Sequence, residues 1–148
     1  MFRQQPMNSK EVNRVLKQLK EQFDIDFPKD YYFFKNNKGR IFLISKRLKD
    51  INLDKVRVNE LGLYFATIEK DGIRLSIEGS QLLKDAKKNV IELTEEQFLE
   101  WLKGFDIELE DEREGYMIVK YKNYYCGSGK LKEKKLNNFV PKSRRILK

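Results

Sequence analysis

The sequence predicts an α+β protein, in which helices and antiparallel hairpins occupy separate stretches of the chain. Residues 8–23 and 94–105 have apolar side chains at helical spacing. Three pairs of β-branched or aromatic runs surround short polar turns, a pattern typical of hairpins. At 148 residues the chain is long enough for one domain, or for two small domains packed together.

The first helix is predicted to begin after Asn8. Asn8 is a favourable N-cap, and Glu11 stands three residues later, where a capping box places its acidic side chain. The apolar positions that follow at helical spacing are Val12, Val15, Leu16, Leu19 and Phe23. Because Lys and Glu occupy the opposite face, we expect an amphipathic helix that packs on the core.

The first hairpin is predicted from the runs 31–34 and 41–44, which flank an Asn/Gly turn at 36–39. Residues 31–34 are four consecutive aromatics, and exposed aromatics can stack on nucleic-acid bases. A strand places alternate side chains on opposite faces, so at least two of the four are expected in the core.

The second hairpin joins residues 61–68 to residues 73–77 through Asp71 and Gly72, a strong short turn signal. The polar stretch 46–55 is predicted to be a loop or a short helix. Residues 78–87 are predicted to form another short helix.

A domain boundary is predicted between residues 88 and 89, giving an N-terminal α/β domain over 1–88 and a second domain over 89–148. A strand is expected at 90–93. Thr94 is then the N-cap of a helix, with Gln97 at the third position of a capping box. The expected buried stripe of this helix is Phe98, Trp101, Leu102 and Phe105.

The remaining elements are an acidic loop and a third hairpin. Gly104 suits a helix C-terminus, and residues 108–114 are rich in Glu and Asp. Their spacing does not match a calcium-binding loop, so a solvated loop is expected. Residues 116–121 and 124–126 read as two strands joined by a tight turn.

Missing residue types exclude several classes of chemistry. The chain has no histidine and one cysteine, Cys126. A structural zinc site and a Ser-His-Asp or Cys-His catalytic arrangement are therefore excluded, and we expect no metal or cofactor. Without an apolar leader, a membrane-length apolar run or a possible internal disulfide, the protein is expected to be soluble and cytoplasmic.

The charge is concentrated at the C-terminal end. Residues 127–148 hold eight basic residues and one acid, Glu133, so their net charge is +7, whereas residues 1–126 hold 23 basic and 22 acidic residues. Clustered cations attract a polyanion, either nucleic acid or an anionic membrane surface. A solvated tail is the alternative. The segment also contains apolar residues, which a solvated tail does not need, so we expect it to be ordered. They are Leu136, Phe139, Val140 and Ile146.

The sequence Gly127-Ser128-Gly129-Lys130 resembles a nucleotide-binding loop but fails its spacing. That loop needs glycine five residues before its last glycine and Ser or Thr after the lysine, where this chain has Tyr124 and Leu131. We expect instead a glycine turn after a strand, with exposed amides that allow close approach of an RNA backbone. An ordinary glycine turn is the alternative. Cys126 is expected to be a buried thiol rather than a nucleophile.

Residues 89–148 resemble a PUA domain, a small β pseudo-barrel that binds structured RNA. Their end is similar to the C-terminal module of the Fmu-type (RsmF) ribosomal RNA cytosine-5 methyltransferases, which has glycine-lysine followed by Leu-Lys-Asn-x-x-Pro-Lys-x-x-Arg. This chain has Gly129-Lys130 and then LNNFVPKSRR at 136–145. Asn137 replaces the lysine of that pattern, and Arg144 is an added cation.

The resemblance implies an α+β fold with an N-terminal helix-plus-hairpins module packed on a C-terminal PUA-like β pseudo-barrel. The same layout is known in small two-domain ribosome-biogenesis factors. No glycine-rich S-adenosylmethionine loop is present, so the chain is expected not to be an enzyme. It is expected to bind ribosomal or transfer RNA, in ribosome biogenesis or beside an RNA-modifying enzyme in trans.

The predicted RNA-binding residues all lie in the C-terminal segment: Tyr125, Gly127, Gly129, Lys130, Lys132, Lys134, Lys135, Asn137, Asn138, Lys142, Arg144 and Arg145. The cations would contact phosphates, the two asparagines would bond bases or 2′-hydroxyls, and Tyr125 would stack. Other partners expected are pre-ribosomal proteins or an RNA methyltransferase, with no membrane. The alternative is a protein-interaction module whose basic C-terminus docks an acidic partner.

Overall fold

The computed structural model describes residues 4–47 and 62–146. Within these ranges it contains helices and two five-stranded sheets, which confirms the mixed helix-and-sheet class. Most of the polar stretch predicted at 46–55 lies outside the described residues, as do residue 61 and the last two residues of the chain.

Helix α1 spans Ser9–Phe23 and begins where the sequence predicts. The Asn8 side chain accepts a hydrogen bond from the Glu11 N–H at 2.8 Å, and the Glu11 carboxylate accepts one from the Asn8 N–H at 3.1 Å. The predicted capping box is therefore confirmed. Val15, Leu19 and Phe23 are buried against the first sheet.

The first sheet is antiparallel throughout, with its strands adjacent in chain order. Its strands are β1 Gln5–Pro6, β2 Tyr31–Lys35, β3 Arg40–Ser45, β4 Leu63–Glu69 and β5 Gly72–Leu75. Both predicted hairpins are confirmed. Of the four aromatics in β2, Phe33 and Phe34 are buried and Tyr31 is half-buried, while Tyr32 is 41% exposed.

Helix α2, Ile77–Leu82, connects the two sheets; it starts one residue earlier and ends five residues earlier than predicted. The reason for the earlier start is Ser76, whose hydroxyl oxygen accepts the Gly79 N–H at 2.9 Å and so caps the helix. Gly79 lies so close to β4 that an added Cβ would overlap the Phe65 carbonyl. The helix therefore packs tightly on the first sheet, and Leu83 beyond its end is fully buried.

The second sheet has the strand order β6-β8-β9-β10-β7, with β6 parallel to β8 and the other pairs antiparallel. Its strands are β6 Val90–Glu92, β7 Ile107–Glu108, β8 Gly115–Tyr121, β9 Tyr124–Lys132 and β10 Lys135–Asn138. The third predicted hairpin is thus confirmed as β8–β9. A short 3-10 helix, Lys142–Arg144, follows the sheet.

Helix α3, Glu95–Leu102, covers one face of this sheet and has the predicted Thr94–Gln97 capping box. Trp101 is fully buried, and its indole N–H donates to the Cys126 carbonyl at 3.1 Å. The prediction that Phe105 is buried is wrong, because its side chain is 53% exposed. Gly104, with φ of 95°, ends the helical path before Phe105 and turns the chain outward.

The prediction of a glycine turn after Cys126 is also wrong. Strand β9 continues through Gly127, Ser128 and Gly129, and all three are buried. At Gly127, φ is 98°, and the β8–β9 register shifts in the same region, so the glycine forms a bulge rather than a turn. A Cβ on Gly129 would lie 2.7 Å from the Trp101 ring, so this glycine makes room for the tryptophan.

The second sheet separates two apolar cores. Met117 and Val119 of β8 face the core beneath α3, while Ile118 between them joins the core of α1 and the first sheet. Polar contacts cross the same border, such as the Ser128 hydroxyl donating to the Leu75 carbonyl at 2.8 Å. Residues on the two sides of position 88 therefore share an apolar core and hydrogen bonds. The division into two domains at residue 88 stays a prediction.

Candidate nucleic-acid interface

The lysines around the β9–β10 turn are exposed, and two of them are already paired. The ammonium of Lys134 lies 3.5 Å from the Glu110 carboxylate, and that of Lys135 lies 3.6 Å from Asp106. Lys132 contacts no carboxylate within the described ranges. Exposed ion pairs contribute little stability, so a phosphate can replace these carboxylates, but the local charge is largely balanced.

Asn138 is fully engaged in holding the end of β10. Its amide nitrogen donates to the carbonyls of Trp101 and Phe105, both at 2.9 Å, and its amide oxygen accepts the Val140 N–H at 2.7 Å. Both amide hydrogens are used within the protein, and the predicted base contact by Asn138 stays a prediction. Asn137 lies opposite Lys130 in the β9–β10 pair and is half-buried.

Tyr125 is held in place rather than presented to a ligand. Its hydroxyl donates to the Lys84 carbonyl at 3.1 Å, and the Lys120 ammonium lies 5.7 Å from the centre of its ring. The ring is half-buried, and the predicted stacking role of Tyr125 stays a prediction. Its neighbour Tyr124 is 65% exposed.

The two glycines predicted to approach RNA lie inside the molecule. The Gly127 N–H donates to the Ser80 hydroxyl oxygen at 2.9 Å, so its amide is not available to a phosphate. Gly129 is covered by Trp101 and Leu136. Close packing of α2 and α3 explains why each position is glycine, and the predicted RNA contacts at both positions stay predictions.

Arg145 also has a structural position. Its guanidinium Nε donates to the Val140 carbonyl at 3.0 Å, and the side chain lies directly over Gly104, where an added Cβ would overlap it. Lys142 is exposed and contacts no carboxylate among the residues that the structure describes.

Lys130 links the two sheets. Its ammonium lies 2.5 Å from one Asp71 carboxylate oxygen and 5.5 Å from the Tyr116 ring centre, and the Tyr116 hydroxyl donates to the other oxygen at 2.9 Å. The hydrogen bonds from Lys130 and then Tyr116 lower the pKa of Asp71 below its ordinary value. Burial and the neighbouring Asp71 raise the pKa of Tyr116.

A cleft of about 290 Å³ lies where the first sheet and α2 meet β9 and the C-terminal segment. Three arginines line it: Arg40 of β3, Arg74 of β5 and Arg144 of the 3-10 helix. We call this the arginine cleft.

Aromatic rings orient two of the three arginines. The Arg40 guanidinium lies 5.0 Å from the centre of the Tyr64 ring, and the Arg74 guanidinium lies 4.7 Å from that of Phe139. A guanidinium stacked on a ring keeps its edge N–H groups free, and that planar edge matches the oxygens of a phosphate.

The charges of the cleft are only partly balanced. Arg74 lies 3.3 Å from Glu69, and Arg144 makes two bonds to Glu78, at 3.0 and 3.4 Å. Arg40 has no carboxylate partner in the described parts of the chain. Among the residues that the structure describes, three cations therefore face two carboxylates, and the positive excess is at Arg40.

Arg40 and Arg74 are not predicted as binding residues because they lie in the part of the chain with balanced charge. Strand register reveals them, since Arg40 pairs with Thr67 and Thr67 pairs with Arg74. The two arginines thus stand in one row across three adjacent strands. Of the residues predicted to bind RNA, Arg144 and Gly127 line the cleft with them, and Arg144 is the one that adds a charge.

Other chemistry has little support in the described residues. Burial raises the pKa of the Cys126 thiol to about 12, so it is not an activated nucleophile. No group of acidic or thiol side chains in the described ranges is arranged to hold a metal ion. No described helix is both long and apolar enough to cross a membrane.

Comparison with known families fits this architecture. Residues 88–146 match the sequence family described as the PUA domain of methyltransferase RsmF. These residues form a PUA-like domain. It contains the second sheet, α3, and the Phe139 and Arg144 side of the arginine cleft.

The similarity to curated relatives extends in front of the PUA-like domain. The chain is 29% identical over 138 residues to ribosomal RNA small subunit methyltransferase F of Aliivibrio fischeri strain MJ11, covering 93% of this chain and 29% of that protein. It is 31% identical over 137 residues to the protein of the same name from Shewanella woodyi, covering 91% of this chain and 28% of that protein. The chain thus spans less than a third of the length of these relatives. Its resemblance to them includes the strands that carry Arg40 and Arg74.

Proposed function

We propose that this protein binds structured RNA, and that the arginine cleft beside the PUA-like domain holds the phosphate chain. The observation behind this proposal is the row of Arg40 and Arg74 on one wall of the cleft, facing Arg144 on the other. The match to an RsmF PUA domain and the printed name of the relatives, ribosomal RNA small subunit methyltransferase, support ribosomal RNA as the target.

Binding would exchange ion pairs within the protein for ion pairs with RNA. As phosphates approach, Arg74 and Arg144 turn from Glu69 and Glu78 to phosphate oxygens, and Arg40 binds without giving up any carboxylate of the described residues. The exposed Lys132 and Lys142 extend the positive surface beyond the cleft. Released counterions make such binding strongly dependent on salt.

We further propose a role in ribosome biogenesis in which this chain recognises RNA and catalyses no reaction of its own. Its partners would be ribosomal RNA, pre-ribosomal proteins or an RNA methyltransferase acting in trans. A ribosomal target would make the cytoplasm its place of action.

The test is a titration of purified protein with a fragment of small-subunit ribosomal RNA at several salt concentrations. If about five phosphates are neutralised in single-stranded RNA, log K should fall with log[salt] with a slope of roughly −3.5. Arg40→Ala should weaken binding and make that slope less steep by about 0.7. Lys17→Ala, which removes an exposed cation from the far side of α1, is the matched control.

A slope near zero, or equal effects of Arg40→Ala and Lys17→Ala, would contradict the proposal. The alternative of an acidic protein partner gives a different result. A complex recovered with this chain would then survive nuclease treatment, whereas an RNA-dependent complex would not.

A further inference from the structure

Three aromatic rings stack against one another at the end of the β8–β9 hairpin. Phe98 of α3 stacks on Tyr121, with ring centres 4.7 Å apart and planes 19° apart, and on Tyr124, at 6.3 Å and 20°. Tyr121 and Tyr124 are register partners on either side of the tight turn. We call these three rings the aromatic platform.

Much of the platform is open to solvent. Tyr124 is 65% exposed, the largest value among the exposed large hydrophobic side chains of the described residues. Neither tyrosine hydroxyl has a hydrogen-bond partner within the described ranges. The core under α3 is filled by Trp101 and its neighbours, so packing does not require Tyr124. Exposed, clustered aromatic surface of this kind marks a contact site.

We propose that the aromatic platform stacks an unpaired base of the bound RNA, an inference that rests on the proposed function. The exposed Tyr124 ring offers a π surface, and any of the four bases can stack on one. The platform is separate from the arginine cleft, since no platform residue lines that cleft. It would therefore add recognition of unpaired nucleotides to binding through phosphates.

The charges around the platform favour a nucleotide over an apolar protein segment. The Lys122 ammonium lies 5.4 Å from the Tyr121 ring centre. An apolar partner would have to remove this cation from water, which is costly, whereas a phosphate beside a stacked base would pair with it. Glu95, one helical turn before Phe98, repels phosphate on the other flank, so the RNA backbone should pass on the hairpin-turn side.

The experiment compares two RNAs of the same length, a hairpin with an unpaired loop and a fully paired duplex. The loop carries a fluorescent purine analogue whose emission is quenched on stacking. Tyr124→Ala should weaken binding of the looped RNA about 5- to 150-fold, relieve the quenching, and leave binding of the duplex unchanged. Tyr124→Phe, which keeps the ring, should behave like the unmodified protein.

Two controls separate stacking from general effects. Tyr32→Ala removes another exposed tyrosine that has a lysine ammonium 5.4 Å from its ring centre, and it should change nothing. The salt slope of Tyr124→Ala should equal that of the unmodified protein, because no phosphate contact is lost.

The outcomes separate the two proposals. If the unmodified protein binds both RNAs and Tyr124→Ala binds the looped RNA equally well, the platform is not a stacking site and the proposed function stands. Equal weakening for loop and duplex also overturns the stacking proposal. If the unmodified protein binds neither RNA at low salt, both proposals fail.

Discussion

The strands before the PUA-like domain and the basic segment at its end use their cations in different ways. In residues 127–146, four cations are paired with carboxylates and Arg145 is bound to a carbonyl. The first sheet belongs to a stretch with nearly equal numbers of acidic and basic residues, yet it supplies Arg40 and Arg74 to the cleft. The net charge of a segment therefore does not tell which of its cations are available to a ligand.

The largest expected effect is at Gly129, where sequence reasoning expects RNA contact and the structure has close packing. In Gly129→Ala the new Cβ would lie 2.7 Å from Trp101, Leu136 and the Asn137 carbonyl oxygen. We expect a loss of about 1–3 kcal/mol in the free energy of unfolding, measured by denaturant titration. RNA affinity of the folded protein should not change, and an affinity loss without a stability loss would favour the RNA-contact interpretation.

The next effect compares the two sources of cations directly. Arg40→Ala should weaken RNA binding by about 1.4 kcal/mol, or tenfold, because a charge-assisted contact to phosphate is lost. Lys134→Ala should weaken it less, since Lys134 must first leave Glu110. Binding isotherms at one salt concentration measure both. If Lys134→Ala weakened RNA binding more than Arg40→Ala, the basic segment and not the arginine cleft would be the binding site.

A smaller effect concerns the link between the two sheets. The folded protein lowers the pKa of Asp71 through Lys130 and Tyr116, so the contribution of Asp71 to stability is present above its ordinary pKa of 3.8 and is lost as pH falls through the lowered value. Melting curves between pH 6 and pH 2, compared with those of Asp71→Asn, measure it. The two proteins should differ at neutral pH and converge in strong acid, and a constant difference would contradict the role of this carboxylate.

The smallest expected effect is the stability change in Lys134→Ala. The Lys134–Glu110 pair is exposed on both sides, and such pairs contribute between zero and about 1 kcal/mol. The melting temperature should therefore stay nearly the same. A clear drop would mean that this end of the basic segment is structural, as Arg145 and Asn138 already are.

Local signals in the sequence located the two longer helices and the three hairpins, but not the short strands β1, β7 and β10. Asn8 with Glu11 and Thr94 with Gln97 identify the starts of α1 and α3, because a capping box depends on residues three apart. The tight turns likewise identify the hairpins.

Tertiary packing decided what the local signals could not. A glycine permits either a turn or a close contact, and Gly129 is in a strand because Trp101, 28 positions earlier, packs against it. The cleft depends on the register of β3, β4 and β5, which aligns Arg40 with Arg74. The aromatic platform required knowing that α3 lies across the end of the hairpin.

The arginine cleft has walls from both sides of the predicted border at residue 88. An RNA strand held by Arg40 and Arg74 on one wall and Arg144 on the other would act as a cross-brace between them. A ligand that binds only the folded form stabilises it by mass action. Backbone amides buried where the two walls of the cleft meet should therefore exchange with deuterium more slowly when RNA is present. Slower exchange of these amides would then report that RNA occupies the cleft, without any label on the RNA.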